Sequence, residues 1–269
     1  MSFTPLSYRK LPRLGCVLAL AAVLTAGFAQ AQETNGDNLA QAANDPTAPL
    51  MSFQLQDSYS PAIYGTGGAS QNFLQFRAAI PFEFAGLQNI FRVTLPYFTD
   101  TPSGATGVSD MVLFDLVTFD RSWGRFGVGA VALVPTGTDG LSAEKWGVGP
   151  AAGFTAKSGK LLWGAFNQNI FSFAGDDDMP DVNVSILQPI LSVGLGNGWS
   201  TGLSEMSATY DWDKDDWTSL PLGVKLAKLH RFGTTPVQFT AQYEHNFADD
   251  QTVPEDLYSF TVKVLMPKG

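Results

Sequence analysis

Alternation of apolar and polar residues is the feature that most constrains how this chain can fold. In the segment TTPVQFTAQYEHNF, residues 234–247, every second residue from Val237 onward is apolar or aromatic except His245, and the residues between are polar. Successive side chains of a β-strand point to opposite faces of the sheet. The segment therefore predicts a strand with one apolar and one polar face. A soluble barrel would bury the apolar face, whereas a membrane barrel would expose it to lipid.

Segments of strand length follow one another along the chain, separated by connections that alternate in length. Connections such as SPAIYGTGGASQ and TDTPSGATG are long, whereas AGLQ and DRSW are short, and the two kinds take strict turns. Long loops on one rim and short turns on the other are typical of outer-membrane barrels. We predict twelve strands, over 51–59, 72–84, 89–98, 108–119, 123–135, 145–157, 160–173, 181–195, 198–212, 217–230, 236–247 and 256–267.

Aromatic residues cluster at both ends of the predicted strands. Near the long loops are Tyr97, Trp146, Phe171, Trp212, Trp217, Phe247 and Tyr258, and near the short turns are Phe84, Phe91, Trp123, Trp199 and Phe232. Two such bands are typical of the aromatic girdles at the two interfaces of a membrane barrel. Aromatic residues scattered through a soluble core are the alternative.

Composition also favours lipid on the outside. Charged residues make up 15% of the chain, which is below the roughly 25% of soluble domains. Gly127, Gly129 and Gly153 lie opposite the apolar face, where they would contribute nothing to solubility but would leave room in a lumen for water, a plug or larger side chains. We therefore predict an all-β fold, a transmembrane antiparallel up-and-down β-barrel of about 12 strands.

The N-terminus has the three-part pattern of a secretory signal. A basic stretch over 8–13 precedes an apolar run over 14–28, and the small residues Ala29 and Ala31 follow. The run is shorter than the ~20 residues that a spanning helix needs, which disfavours the alternative of a membrane anchor. We predict a signal peptide over 1–31, a flexible leader over 32–49, because it is small and polar without apolar periodicity, and the barrel over 50–269.

The net charge of the mature chain limits the classes of molecule that it can bind. Residues 1–31 contain three of the 16 Lys and Arg residues and none of the 25 Asp and Glu residues, so the mature net charge is 13 − 25 = −12. Phosphate binding needs clustered Lys and Arg, so we expect no nucleic-acid partner. The expected partners are outer-membrane lipid and lipopolysaccharide, with the barrel-assembly machinery of a Gram-negative cell.

Three glycine-rich or alternating segments support a family resemblance. GVSDMVLFDLVTF (107–119), WGVGPAAGF (146–154) and the final hairpin ending in SFTVKVLMP resemble outer-membrane proteins of the type named for the MetA pathway of phenol degradation. The resemblance covers roughly residues 50–267. It implies a transmembrane barrel that passes hydrophobic or aromatic compounds, and it brings no catalytic residues. One departure is the end of the chain, where Met266 occupies the place of the usual terminal aromatic residue.

Few residues have the spacing of a catalytic site. The two histidines, His230 and His245, fall near opposite rims of the predicted barrel. Ser259 and Glu244 lie on neighbouring strands, but both belong to the polar face and His245 does not, so no Ser–His arrangement is predicted. We therefore predict no enzyme and no cofactor.

The acidic loop DWDKDDW invites comparison with a calcium loop. Asp211, Asp213 and Asp215 have D-x-D-x-D spacing, but an EF-hand needs Gly at the sixth position and Glu at the twelfth. Those positions are Asp216 and Leu222, so the match fails. We predict a solvated loop without a dedicated metal site; loose divalent-cation binding beside lipopolysaccharide is the alternative.

The polar face supplies the remaining candidate site, a mixed-charge lumen. By alternation its lining includes Arg77, Glu83, Arg92, Asp115, Arg125, Lys157, Glu205, Lys225, Gln238, Gln242, Glu244 and Lys263. These residues form either a solute path or a structural ladder that closes a narrow barrel. Eight strands give a filled interior and 16–18 an aqueous channel, so about twelve is intermediate. The leader before Pro49 either remains outside or folds back as a plug.

Three functions fit these observations. The first is a channel or transporter of the cell outer membrane, porin-like, for small hydrophobic or aromatic solutes. The second is a closed structural or adhesive barrel whose acidic surface loops contact cations or partners. The third is a soluble periplasmic lipid-binding barrel, which the composition and the loop rhythm disfavour.

Overall fold

The computed structural model of the chain describes residues 36–266, so the predicted signal peptide and the last three residues lie outside it. Its fifteen strand segments form one antiparallel sheet. In chain order the elements are α1 (Gly36–Ala43), β1 (Met51–Ser60), β2 (Gln71–Phe84), β3 (Leu87–Asp100), β4 (Gly107–Val108), β5 (Met111–Arg121), β6 (Gly124–Val134), β7 (Lys145–Ser158), β8 (Leu161–Gly175), β9 (Asn183–Gly196), β10 (Trp199–Leu203), β11 (Ala208–Asp211), β12 (Asp216–Ser219), β13 (Pro221–Phe232), β14 (Thr235–Asn246) and β15 (Asp256–Met266).

The segments combine into a closed barrel of twelve strands. Three of the twelve strands are each made of two segments separated by a short interruption: β4 with β5, β10 with β11, and β12 with β13. The barrel closes where β1 pairs with β15 from Met51↔Met266 to Tyr59↔Tyr258. Every other neighbour in the wall is also antiparallel, which confirms the predicted up-and-down barrel and each of its strands.

Cross-strand pairing and side-chain exposure together show which face of the sheet lines the lumen and which faces lipid. Gln54 pairs with Arg77 on β2 and with Lys263 on β15, and these polar side chains point into the barrel. On β13, Val224 and Leu226 point outward and are 60% and 47% exposed. A soluble barrel would bury such side chains, so the apolar face is the lipid face.

Aromatic side chains form the two predicted bands. Eleven of the twelve predicted girdle residues are between 39% and 71% exposed on the outer face, namely Tyr97, Trp146, Phe171, Trp212, Trp217, Phe247 and Tyr258 near the long loops and Phe84, Trp123, Trp199 and Phe232 near the short turns. Phe91, the twelfth, is half-buried. Aromatic rings at both rims match the two girdles of a membrane barrel.

The leader enters the barrel. Leu39, Ala40 and Ala43 of α1 are buried against Leu229 and Leu265, which face inward at the short-turn end of the barrel. The prediction of a flexible leader over 32–49 is therefore wrong for residues 36–49, because the lumen supplies packing partners that a local sequence window does not contain. Within residues 36–266, no helix is long and apolar enough to cross a membrane.

One half of the interior is an apolar core. Inward-facing side chains of β5 to β8 form a buried cluster of Phe114, Leu116, Val131, Leu133, Ala151, Phe166 and Ile170. The Phe114 and Phe166 rings lie 5.4 Å apart between centroids. A Cβ atom on Gly153 would lie 2.4 Å from the Phe166 ring, so that glycine makes room for a larger neighbour, as one of the sequence alternatives anticipated.

Candidate functional site in the barrel lumen

The other half of the interior is a polar ladder on β13–β15 and β1–β3. Gln54, Gln56, Gln238, Gln242 and Thr261 are buried there although their side chains are polar. Neighbouring side chains satisfy one another: the Gln56 amide donates to the Ser58 hydroxyl at 3.1 Å, and the Ser58 and Ser259 hydroxyls lie 2.8 Å apart. Polar groups removed from bulk water need such partners.

An ion pair crosses the middle of the lumen. Residues 204–207, between β10 and β11, leave the wall, and the Glu205 side chain points into the barrel. Its carboxylate accepts a hydrogen bond from Arg77 at 2.8 Å and lies 3.5 Å from the Lys263 ammonium. Its backbone N–H donates to the Gln242 side-chain carbonyl at 3.3 Å. The interruption of the strand thus places a carboxylate among lumen cations.

Two cavities lie on either side of this ion pair. The upper cavity, of about 210 Å³, opens toward the long loops and is lined by residues such as Gln56, Phe73 and Asn246. The lower cavity, of about 100 Å³, lies against residues 42–50 near the short turns. Arg77 and Glu205 line both cavities, so their ion pair is the partition between them.

Three lumen cations hold the segment 43–47, which we call the plug together with α1. The Lys263 ammonium donates to the Ala43 carbonyl at 3.1 Å. The Arg92 guanidinium donates to the Pro46 carbonyl at 3.3 Å, and that of Arg125 to the Thr47 carbonyl at 3.0 Å. Because these cations belong to β15, β3 and β6, the plug is fixed from several sides of the wall.

Asp45 is the plug residue with the most partners. Its carboxylate accepts hydrogen bonds from the Thr47 backbone and hydroxyl, at 2.9 Å and 2.7 Å, and from the Thr155 hydroxyl on β7 at 3.0 Å. The Arg125 guanidinium lies 3.9 Å from the same carboxylate. Sequence reasoning missed Asp45, although a short polar side chain before Pro46 is a turn signal.

Two cations of the lower cavity have unsatisfied groups. Lys225 is 8% exposed, and among residues 36–266 its ammonium makes no ion pair within 4.0 Å and no hydrogen bond. The Arg92 Nε atom is buried without a hydrogen-bond partner, while the guanidinium lies 4.5 Å from the centre of the Phe114 ring. Both side chains line the lower cavity.

Most predicted lumen residues do face inward. Those in the interior are Arg77, Arg92, Arg125, Glu205, Lys225, Gln238, Gln242, Glu244 and Lys263. Glu83 and Lys157 occupy the same face but are exposed beside short turns, so they belong to the rim.

Asp115 is the exception, because it points outward. Arg92 faces the lumen and pairs with Phe114, so the next residue of β5 lies on the opposite face, beside Phe91 and Ala130. The predicted lumen position of Asp115 is therefore wrong. Strand β5 has apolar residues on both faces, and the carboxylate alone suggested a wet side that the register contradicts.

The structure shows where His245 and the acidic loop lie. His245 lies on the outer face with its Nδ1 atom 3.0 Å from the Asp256 carboxylate, while Ser259 faces inward, so the two are on opposite sides of the wall. Asp211 accepts hydrogen bonds from the backbone N–H groups of Asp213 and Lys214, and its carboxylate thus stabilises a turn. Among the described residues, no group of three His, Cys, Asp or Glu side chains is arranged to hold a metal ion.

Comparison with known proteins places the fold among outer-membrane barrels. No protein-family model and no curated protein matches the chain. The structure is similar to the COG4313 outer membrane channel from Pseudomonas putida F1, with a TM-score of 0.58 and 14% identity over 80% of this chain and 94% of that one. That likeness confirms, for the fold, the resemblance to the family of the MetA-pathway type.

Two further solved structures are more distant. Outer membrane phospholipase A from Escherichia coli has a TM-score of 0.43 and 11% identity, over 80% of this chain and 92% of that one. The anion-selective porin from Comamonas acidovorans has a TM-score of 0.38 and 10% identity, over 80% of this chain and 97% of that one.

Proposed function

We propose that the protein is an outer-membrane channel for small solutes with an apolar or aromatic body, closed at rest by its plug. The observation that carries the proposal is a lumen with two cavities, both lined by the Arg77–Glu205 pair, the lower of which is covered by the segment 42–50. The likeness to a COG4313 outer membrane channel supports the channel class. The opposite orientations of Ser259 and His245 favour a channel over a Ser–His hydrolase.

The route and its preference follow from the linings. A solute would enter between the long loops, pass Arg77–Glu205 and reach the lower cavity, where Ile190, Leu203 and Met206 offer an apolar side. The cavities, of about 210 Å³ and about 100 Å³, are smaller than the usual pocket of roughly 300–1,000 Å³ for an organic ligand. Passage therefore requires the plug to move.

The location of the channel is part of the same proposal. Residues 1–31 direct export as a cleaved signal, and the barrel inserts with its apolar face in outer-membrane lipid through the assembly machinery. The acidic long-loop end, with Asp211 and Asp213, faces lipopolysaccharide. Fractionation of cells, with N-terminal sequencing of the mature chain, tests this location and the cleavage near Ala31.

A reversible lock on the plug tests the channel. The hydroxyl oxygens of Thr47 and Thr155 lie 2.8 Å apart, so a Thr47→Cys/Thr155→Cys variant brings two thiols within reach of a disulfide. The single natural cysteine, Cys16, lies in the predicted signal. In planar bilayers we expect the oxidised variant to pass no current and reductant to restore wild-type openings. A variant without residues 36–47 should conduct continuously.

Controls separate a closed barrel from a misfolded one. Heat-modifiable migration in detergent gels should be the same for all three proteins. A folded variant without the plug that still passes no current would contradict the proposal and would favour the closed structural barrel. The solute class is tested on the same variant: an aromatic solute should block the ion current at lower concentration than a sugar of similar size.

A further inference from the structure

The lower cavity has more positive than negative charge. Its lining contains the cations Arg77, Arg92, Lys225 and Lys263 and only two carboxylates, Asp45 and Glu205. Asp45 is already engaged by two threonine hydroxyls, and Glu205 by Arg77 and Lys263. The cavity therefore has unused positive charge.

Lys225 is the cation of this cavity with the fewest direct partners. It is 92% buried, yet among the described residues it makes no ion pair within 4.0 Å and no hydrogen bond. Burying a charge is costly unless an opposite charge or hydrogen-bond partners accompany it. A lysine on the polar ladder that points into a cavity thus offers a place for an anion.

The cations that hold the plug bind it through neutral groups. Lys263 and Arg92 donate to the Ala43 and Pro46 carbonyls, at 3.1 Å and 3.3 Å. A carboxylate is a stronger acceptor for the same donors than a backbone carbonyl, because both partners are then ionised. An organic anion in the lower cavity would therefore compete with the plug for its own attachments.

The apolar part of the lining limits what kind of anion fits. Ile190, Leu203, Met206 and Leu265 line the cavity together with the cations. A carboxylate with an apolar body would place its charge beside Lys225, Arg92 and Lys263 and its body against this side. A small inorganic ion would satisfy only the cations.

We propose that the lower cavity binds a small organic carboxylate with an apolar body, and that this anion releases the plug by taking over its cationic partners. The proposal rests on the channel function proposed above and specifies its solute class and its gate. Lys225 supplies the first binding charge, and Arg92 and Lys263 transfer from plug carbonyls to the solute.

Thiol labelling of the plug measures release without relying on current. Thr47 is 0% exposed, so a Thr47→Cys variant of the full chain should react slowly with a maleimide. Benzoate should accelerate labelling, and its half-maximal concentration should be about tenfold lower than that of benzamide, because charge-assisted hydrogen bonds are stronger than neutral ones. Acetate, which lacks the apolar body, should be weaker than benzoate. Equal effects of benzoate and benzamide would overturn the proposal.

Substitutions at Lys225 locate the site. In the Thr47→Cys background, Lys225→Met should lose most of the benzoate response and Lys225→Arg should retain it. Lys228→Met is the matched control, since Lys228 lies on the outer face of the same strand over the Trp199 ring and donates to the Asn197 carbonyl. A full benzoate response in a folded Lys225→Met protein would overturn the proposal.

The outcomes distinguish this proposal from the channel itself. If the variant without residues 36–47 conducts but benzoate does not accelerate labelling, the channel stands and the anion gate fails. If benzoate accelerates labelling but that variant passes no current, the anion site stands and the channel fails.

Discussion

The two halves of the barrel wall differ in what fills their interior: polar side chains in one half and apolar side chains in the other. In β13–β15 and β1–β3 the interior is a polar ladder and the exterior is apolar. On β13, for example, Leu226 points outward, whereas Lys225 and its partner Gln242 on β14 point inward. In β5–β8 the interior is the apolar cluster around Phe166. The first half leaves cavities and the second fills its share of the lumen, so the lumen is narrow and lies to one side.

The exterior differs as well. On β8 and β9 the outward-facing Asn167, Asn169 and Ser185 form a chain with Trp212: the Trp212 indole donates to Ser185 at 2.8 Å, Ser185 to Asn169 at 2.6 Å and Asn169 to Asn167 at 2.7 Å. Hydrocarbon offers no hydrogen-bond partner, so these groups satisfy one another. A half with an apolar interior can thus have small and polar residues outside.

The largest expected effect contrasts the two interiors. Phe166→Ala should lower the free energy of unfolding by about 3–5 kcal/mol, because it empties the middle of the apolar half. Gln56→Ala should cost only about 1–2 kcal/mol, because it removes two neutral hydrogen bonds, one from Gln54 and one to Ser58, in the lining of a cavity. Urea unfolding in lipid vesicles measures both. Equal losses would show that the polar ladder is packed as tightly as the apolar core.

A medium effect contrasts the two exteriors. Leu226→Arg should destabilise the barrel by about 2–4 kcal/mol, because Leu226 lies at the middle of β13 and a cation there would face lipid. Asn169→Leu should cost about 1 kcal/mol, because it removes two hydrogen bonds between side chains, each usually worth about 0.6 kcal/mol in a membrane protein. Unfolding in the same vesicles compares them. A stabilising Asn169→Leu would mean that its hydrogen bonds do not offset the burial of polar groups.

The smallest effect concerns Lys145, a buried cation of the apolar half. Unlike Lys225, Lys145 forms an ion pair, with the Asp181 carboxylate at 3.1 Å. Hydrogen bonds from Lys145 and then Ser172 lower the pKa of Asp181, in the long loop after β8. A lowered folded-state pKa adds stability above the unfolded pKa of about 3.9 that is lost as pH falls through the folded value. Lys145→Met should flatten this acidic dependence of unfolding. An unchanged pH profile would contradict a role for the pair; the effect should be small, since Asp181 is 71% exposed.

Much of the fold could be predicted because alternation and loop length are local properties. Wherever one face is clearly polar, as on β2, β13 and β15, the sequence identified the lipid face correctly. It failed at Asp115 because β5 is apolar on both faces, and alternation assigns two faces only when they differ. The predicted strands over 160–173 and 181–195 have the same ambiguity. On β8 the polar Asn167 and Asn169 point outward and the apolar Phe166 points inward, so the usual contrast between the faces is absent.

The sequence by itself determined a membrane barrel, its twelve strands, its aromatic bands and most of its charged lumen residues, since these depend on neighbours two residues apart. Only the tertiary structure decided the plug and the charge balance around it. The Lys263–Ala43 contact joins residues 220 positions apart, and Glu205 meets Arg77 across 128. Such contacts exist only after the barrel closes, because closure brings distant strands and the leader into one narrow lumen.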